Sequence, residues 1–225
     1  MKTTHRLEHK YRITYADYFR LKPLIAALMI HDVHGDKEDY PVHSIYLDDV
    51  YHSGAADKAF GNQFHKKYRI RFYHDPHRRK LELKEKVGEN STKYATAISE
   101  PLFEAIMNQD LDVLNEHFDD PLIRRFTLDM LLHNLKPTCN IVYRREAYRD
   151  PLDNLRITFD HSLAVGSVTS DITSDNITLL PHSHLLIEVK YEHFIPKPIR
   201  QVLKQVTMTK LSVSKYFLGY QQIQP

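Results

Sequence analysis

Ionic side chains recur at every second position in several stretches of this sequence, each time against an apolar alternate. The densest case is Lys66 to Lys86, KKYRIRFYHDPHRRKLELKEK. Two alternating runs flank a turn at His74-Asp75-Pro76-His77, which predicts a β-hairpin. Lys67, Arg69 and Arg71 share one face of the first run, and Tyr68, Ile70 and Phe72 the other. In the second run Lys80, Glu82, Lys84 and Lys86 lie opposite Leu81 and Leu83. A Glu-x-Lys pair appears three times, at Glu8-His9-Lys10, Glu82-Leu83-Lys84 and Glu188-Val189-Lys190. Arg156, among Leu155, Ile157 and Phe159, repeats the theme. A sheet with one dry and one wet face accounts for a single such hairpin. An ionic face on strand after strand can instead line a closed barrel. There, clustered Lys and Arg repel one another unless a polyanion or a metal–polyanion complex lies among them.

These residue types suit phosphoryl transfer. That chemistry needs charge neutralisation and in-line placement more than covalent work by the protein. Arg forks match phosphate oxygens bidentately, and Lys supplies point charge. A carboxylate on Mg²⁺ or Mn²⁺ fixes a metal that bridges phosphate oxygens. The competing reading of each Glu-x-Lys is a cross-strand ion pair with no ligand.

The elements that must position these residues are legible in outline. His5 to Ile13 alternates as a strand, and Tyr15 to Met29 reads as an amphipathic helix packing through Phe19, Leu24, Ile25 and Leu28, with Pro23 as a kink. A polar loop at Gly35 to Tyr40 leads to a short strand, Val42 to Leu47, that ends in a turn at Asp48-Asp49. Residues 51 to 63 hold Gly54, Gly61 and a short helical piece. After the hairpin, a turn at Gly88-Glu89-Asn90 precedes a strand from Ser91 to Ile98 that carries Lys93. Ser99 as N-cap and Pro101 in the first turn open a helical insert over about 99–136, of two or three helices. Leu122, Ile123, Phe126, Leu128, Leu131 and Leu132 are among its expected packing residues. Strands return at Thr138 to Tyr148, Asn154 to His161 and His184 to Tyr191, around a turn at 150–153 and a Ser/Thr-rich stretch at 166–183. A helix from about Ile199 to Thr207 follows, and the tail packs Tyr216 and Phe217.

At 225 residues the chain is read as a single domain, 1–225, carrying this insert. The net charge of +2 excludes the global basic field of a nonspecific nucleic-acid binder, so no nucleic acid is expected and any polyanion site is local. Cys139 is the only cysteine, which rules out an internal disulfide and a Cys-rich zinc site; it reads as a small buried residue. The start lacks an apolar signal core, and the run Leu24 to Ile30 is too short to cross a bilayer. A cytoplasmic protein is the default, compatible with attachment to a membrane-protein partner. With six glycines there is no P-loop, no dinucleotide-binding glycine pattern and no nucleophile elbow. His182-Ser183-His184 is the tightest histidine pair but lacks a third spaced metal ligand.

Taken in order, LEHKYRI, SIYLDD, KYRIRFY, LELKEK, VYRREAY, LRITFD, LIEVKY and SKYFLGY resemble the VTC domain. That is the vacuolar transporter chaperone-type polyphosphate polymerase domain, in the CYTH or triphosphate tunnel metalloenzyme superfamily. The resemblance covers nearly the whole chain. It implies an α+β fold: an antiparallel β-barrel, a triphosphate tunnel, with a helical insert and flanking helices. It implies that Lys10, Arg69, Arg71, Lys84, Lys93, Arg145, Arg156 and Lys215 hold phosphates. Glu188 would be the metal ligand, with Glu82 and Glu8 as further candidates, and Lys84, Arg71 and Glu188 would be catalytic. Where the wider superfamily begins with Glu-x-Glu-x-Lys, this chain has Arg6 at the first Glu, which favours the VTC branch over a triphosphatase with a full acidic cluster. The expected activity is transfer of the terminal phosphoryl group of ATP onto a polyphosphate chain, with Mn²⁺ or Mg²⁺ as cofactor. A triphosphatase using water as acceptor and a non-catalytic polyanion-binding module are the alternatives. ATP or triphosphate and polyphosphate are the expected partners, and the sequence leaves the oligomeric state open.

Overall fold

The computed structural model of the protein describes residues 7–32, 38–56, 64–88, 90–151, 154–168, 176–212 and 214–223. Arg6, the loop at 35–37, Gly61, Glu89, the turn residues at 152–153 and 169–175 of the Ser/Thr-rich stretch lie outside them. In chain order come β1 (Leu7–Thr14), α1 (Tyr15–Leu28), β2 (Ile30–His31), β3 (Tyr40–Asp48), α2 (Ser53–Ala56), β4 (Phe64–Phe72), β5 (Arg79–Val87) and β6 (Asn90–Ile98). Helices α3 (Glu100–Asn108), α4 (Leu111–Asn115) and α5 (Pro121–His133) follow. The chain continues through β7 (Lys136–Arg149), β8 (Arg156–Gly166), β9 (Ile177–Thr178), β10 (His184–Tyr191), α6 (Lys197–Leu203), β11 (Thr209–Lys210) and α7 (Lys215–Ile223). It forms two compact units. Unit 1 comprises Met1–Pro41, Tyr143–Ala164 and Thr178–Ser212; unit 2 comprises Val42–Val142, Val165–Ile177 and Val213–Pro225.

In unit 2, β3, β4, β5 and β6 pair antiparallel in that order, with the first half of β7 beside β3. Period-two alternation puts Ile45, Leu47, Tyr68, Ile70, Phe72, Leu81, Leu83 and Ile98 on one face, all buried. The helical insert covers that face with Leu102, Ala105, Ile106, Leu114, Leu122, Ile123, Phe126 and Met130. Its three helices start where side chains satisfy their first backbone N–H groups. Ser99 accepts from Leu102, Asp110 from Asp112 and Val113, and Asp120 from Leu122 and Ile123. The expected packing of Leu128, Leu131 and Leu132 does not occur. They are 50%, 58% and 76% exposed, because α5 buries the stripe through Leu122, Phe126 and Met130 on its other side. Helices thus cover the apolar face of this sheet, and the ionic side chains lie on the opposite face.

In unit 1, β1 pairs with β10 over eight residues, β10 with β8, and β11 with the other edge of β1; the second half of β7 lies beside β8 and takes β2. Ile13, Ile157, Phe159, Leu185, Ile187 and Val189 form its apolar face, packed by Tyr18, Leu21 and Ile25 of α1 and Ile199, Val202 and Leu203 of α6. Helix α1 opens with a capping box between Thr14 and Asp17. Phe19 and Leu28, expected to pack, are 67% and 42% exposed. Tyr18 points inward in their place, and its hydroxyl donates to the buried Glu146 at 2.6 Å. Within each unit the ladder is an open row ending on an edge strand, β6 in one and β11 in the other. Among the described residues no helix is long and apolar enough to cross a membrane.

Phe126 is fully buried and packs edge-on against Tyr68 at 5.2 Å. Phe126→Ala is therefore expected to cost about 3–5 kcal/mol in urea unfolding, whereas Leu132→Ala should change stability by less than about 0.5 kcal/mol. Equal losses would show that the insert packs through a different face.

Candidate functional site

The predicted residues fall into two sets, one in each unit. In unit 2, Arg69, Arg71, Lys84 and Lys93 share the ionic face with Glu82. Register places Lys67 opposite Lys84 and Lys84 opposite Lys93, so three lysines form one row across β4, β5 and β6. Like charges directly opposed on a sheet face destabilise it. The next row holds Arg69 opposite Glu82, and Tyr46 opposite Arg69. Glu82 is buried, 4% exposed, and both its oxygens are engaged. Arg69 donates from Nε and Nη2 to Oε2 at 2.8 and 2.7 Å, and Lys93 reaches Oε1 at 2.6 Å. Burial pushes the Glu82 carboxyl up, but the charges of Arg69, Arg71 and Lys93 outweigh it and hold the group at about 2. Arg69 also donates from Nη1 to the Tyr46 hydroxyl at 3.3 Å. Arg71 donates from Nε and Nη2 to Ser44 Oγ at 3.2 and 3.0 Å. Lys215, buried at the start of α7, belongs to the same unit.

In unit 1 the predicted cations are paired with carboxylates. Lys10 pairs with Glu8 at 2.6 Å and Lys190 with Glu188 at 2.9 Å. Register sets Glu8 opposite Lys190 and Lys10 opposite Glu188, so the two carboxylates are diagonal neighbours on one face. Arg145, buried, forks onto Asp160 at 2.6 and 2.7 Å and reaches Glu188 at 3.5 Å. Arg156 is tied to Asp32 at 2.8 Å and to the Tyr40 hydroxyl at 3.2 Å. Burial lowers Lys190 to about 8 against the opposing pull of Glu188 and Glu8, so its charge titrates close to neutral pH.

Sequence reasoning missed Asp160, Asp32, Ser44 and Tyr46. Asp160 was within reach, because it lies four residues after Arg156 in LRITFD and alternation puts both on one face. Asp32 and Ser44 carry no local signal. Other readings hold. Asp48 and Asp49 organise a turn, Asp48 accepting from the backbone of Gly54 and Ala55, and Asp49 from Tyr51 and Ser53. Cys139 is buried, and burial pushes its thiol up to about 12, which leaves it inert as a nucleophile.

Triphosphate tunnel proteins are metal-dependent in general. Among the described residues no group of three His, Cys, Asp or Glu gathers to hold an ion. The carboxylates of Glu188 and Glu8 do suit a hard cation that arrives on a triphosphate, since Mg²⁺ takes one or two protein carboxylates plus substrate phosphates. On the same face, Thr158 Oγ1 and Arg156 Nε are buried with no hydrogen-bond partner among the described residues, which fits an oxygen-rich ligand. Glu82, with both oxygens on cations, fits that role less well.

The VTC domain model matches residues 5–224, and the chain belongs to that family. No curated protein matches it. A protein from Hippeastrum, assigned as an adenylyl cyclase and described as having a dominant triphosphatase activity, superposes with a TM-score of 0.56 at 13% identity, over 98% of this chain and 97% of that one. A chain of the Schizosaccharomyces pombe Mediator head module gives 0.51 at 6% identity, over 92% and 99%. The PH1819 protein of Pyrococcus horikoshii gives 0.49 at 15% identity, over 96% of each chain. The fold is α+β, an antiparallel sheet of the CYTH, triphosphate tunnel type with a helical insert and flanking helices, the ladder of each unit not closed into a ring among the described residues.

Glu82 is the electrostatic anchor of the unit 2 set, and acid should expose it. Its folded value of about 2 lies below the ordinary 4.5, so its stabilisation is complete above about pH 4.5 and is lost as pH falls through about 2. Glu82→Gln is expected to destabilise the protein by on the order of 3 kcal/mol at pH 7 in urea unfolding, with the gap to wild type closing between those pH values. A gap that stays constant over that range would remove Glu82 as the anchor.

Proposed function

We propose that this protein is a metal-dependent phosphotransferase that moves the terminal phosphoryl group of ATP onto a growing polyphosphate chain. The observation that carries the reading is the row Lys67, Lys84 and Lys93 in register beside Arg69 and Arg71, with Glu82 the single buried carboxylate among them. A face built in this way favours a multiply charged anion over a single one. Membership of the VTC domain family supports the same chemistry.

Each side chain then has a distinct task. Arg71 and Arg69 present planar forks to the non-bridging oxygens of successive phosphates. Lys84, Lys67 and Lys93 neutralise charge along the chain, and Lys215 adds a further ammonium. Glu82 fixes Arg69 and Lys93 before ligand arrives, so the basic face is preorganised. In unit 1, Lys10, Arg145 and Arg156 are the phosphate contacts, and Glu188 with Glu8 are the carboxylates for Mn²⁺ or Mg²⁺. A divalent cation held there would supply positive charge that offsets the charge developing on the leaving group.

A second reading, triphosphate hydrolysis with water as acceptor, is favoured by the triphosphatase described for the Hippeastrum neighbour. Purified protein with ATP and Mn²⁺ separates the two when products are resolved by chain length. Long chains are expected. Orthophosphate alone supports hydrolysis, and tight binding without turnover supports a binding module. Glu188→Gln keeps the shape and removes the charge, so metal-dependent turnover should collapse while tripolyphosphate binding partly survives. Lys84→Ala should weaken tripolyphosphate binding by roughly 1.5–3 kcal/mol in calorimetry, without unfolding the protein. Wild-type affinity in that variant would take β5 out of the site.

A further inference from the structure

Lys215 is the one member of the predicted phosphate set that stands on a helix. It opens α7 and is buried, and its neighbour Tyr216 is 1% exposed. The Tyr216 hydroxyl donates to Asp48 Oδ2 at 2.7 Å. Asp48 ends β3 and also accepts from the backbone N–H groups of Asp49, Gly54 and Ala55, at 3.0, 2.9 and 3.1 Å, so its carboxylate is itself fixed. The Tyr216 ring stacks on Tyr46 with centroids 4.3 Å apart and planes 4° from parallel. Tyr46 in turn accepts the Arg69 Nη1 bond. One residue before Lys215, Ser214 Oγ accepts from the Phe217 backbone at 3.1 Å and from Lys67 Nζ at 3.3 Å. Further along, α7 lies flat on β7 at Gly219, where a Cβ would come 2.3 Å from Ile141 Cδ1.

The start of α7 is thus fastened to β3 and β4, the strands that carry Tyr46, Lys67, Arg69 and Arg71. The first turn of a helix is where fraying begins, and a lysine there keeps a defined position only if its backbone does. Two of the fastenings, Tyr46 and Lys67, lie on the ionic face. The Tyr216–Asp48 bond lies outside the phosphate-binding set.

We propose that Tyr216 is a positioning residue: its hydroxyl bond to Asp48 seats the first turn of α7 and so holds Lys215 in place to bind phosphate. The inference rests on the phosphate-binding reading of this face given above. Tyr216→Phe tests it, because the ring and its stack on Tyr46 stay and Asp48 keeps its three backbone donors. Two readouts apply to the 225-residue chain: acylation of Lys215 by an amine-reactive reagent, followed by peptide mass spectrometry, and calorimetric titration with tripolyphosphate. Acylation of Lys215 is expected to rise about fivefold and tripolyphosphate affinity to fall about fivefold, the size of one net hydrogen bond, while thermal unfolding stays close to wild type. In turnover the loss should appear in KM more than in kcat. Adding Asp48→Asn to Tyr216→Phe should loosen Lys215 no further than Asp48→Asn does by itself. Tripolyphosphate should slow acylation of Lys215 in the wild type.

Unchanged acylation in Tyr216→Phe overturns the proposal. So does faster acylation with wild-type affinity, because the helix would then move without consequence for phosphate. Arg71→Ala separates the two readings. Weak binding by Arg71→Ala beside normal binding by Tyr216→Phe overturns the positioning role alone. A wild type that binds no tripolyphosphate overturns the phosphate site and the positioning role together.

Discussion

Repulsion among like charges on one sheet face is the constraint on which unit 2 depends. Lys67, Lys84 and Lys93 stand in one row, with Arg69 and Arg71 beside them. Two such charges about 4 Å apart repel by on the order of 4 kcal/mol at an effective dielectric of 20. Glu82 relieves part of this by taking Arg69 on one oxygen and Lys93 on the other. The opposite face stabilises the arrangement. There, burial of Tyr68, Ile70, Leu81 and Leu83 under α3–α5 offsets the repulsion, so the helical insert supports the ionic face from the other side of the sheet.

Unit 1 handles charge differently. Four of its basic side chains have a carboxylate within hydrogen-bond distance: Glu8 for Lys10, Glu188 for Lys190, Asp160 for Arg145 and Asp32 for Arg156. A balanced set is stable without ligand, and any phosphate it binds must compete for side chains already in use. The lowered pKa of Lys190 belongs to the same picture. Partial burial disfavours its ammonium, and Glu188 beside it favours the charged form.

Two tyrosines show how polar anchors shape packing in this fold. Tyr18 turns inward on α1 because Glu146 accepts its hydroxyl, and Phe19, the more apolar neighbour, is left outside. Tyr216 is buried in the same manner on α7, its hydroxyl on Asp48 and its ring on Tyr46. In both helices a buried tyrosine ends in a hydrogen bond to a buried carboxylate.

The sequence by itself determined the strands, the hairpin turn, the insert with its Ser99 cap, and which residues share a face. All of these follow from local rules: side chains alternate across a strand, and a cap serves the backbone N–H groups two or three residues on. The ordered motifs also carried the family. Only the tertiary structure decided who meets whom. Sequence gives a strand its faces but not its partner or register, so the row of three lysines emerges only when β4, β5 and β6 align. Arg145 and Asp160 are 15 residues apart, Arg69 and Tyr46 are 23, and Tyr216 and Asp48 are 168. Contacts across such separations depend on how whole strands and helices dock, and no local period encodes them. For the same reason the burial of Tyr18 over Phe19, and the exposure of Leu131 and Leu132, could not be read from helical spacing. Spacing defines a stripe, and the surface it packs against selects which stripe is used.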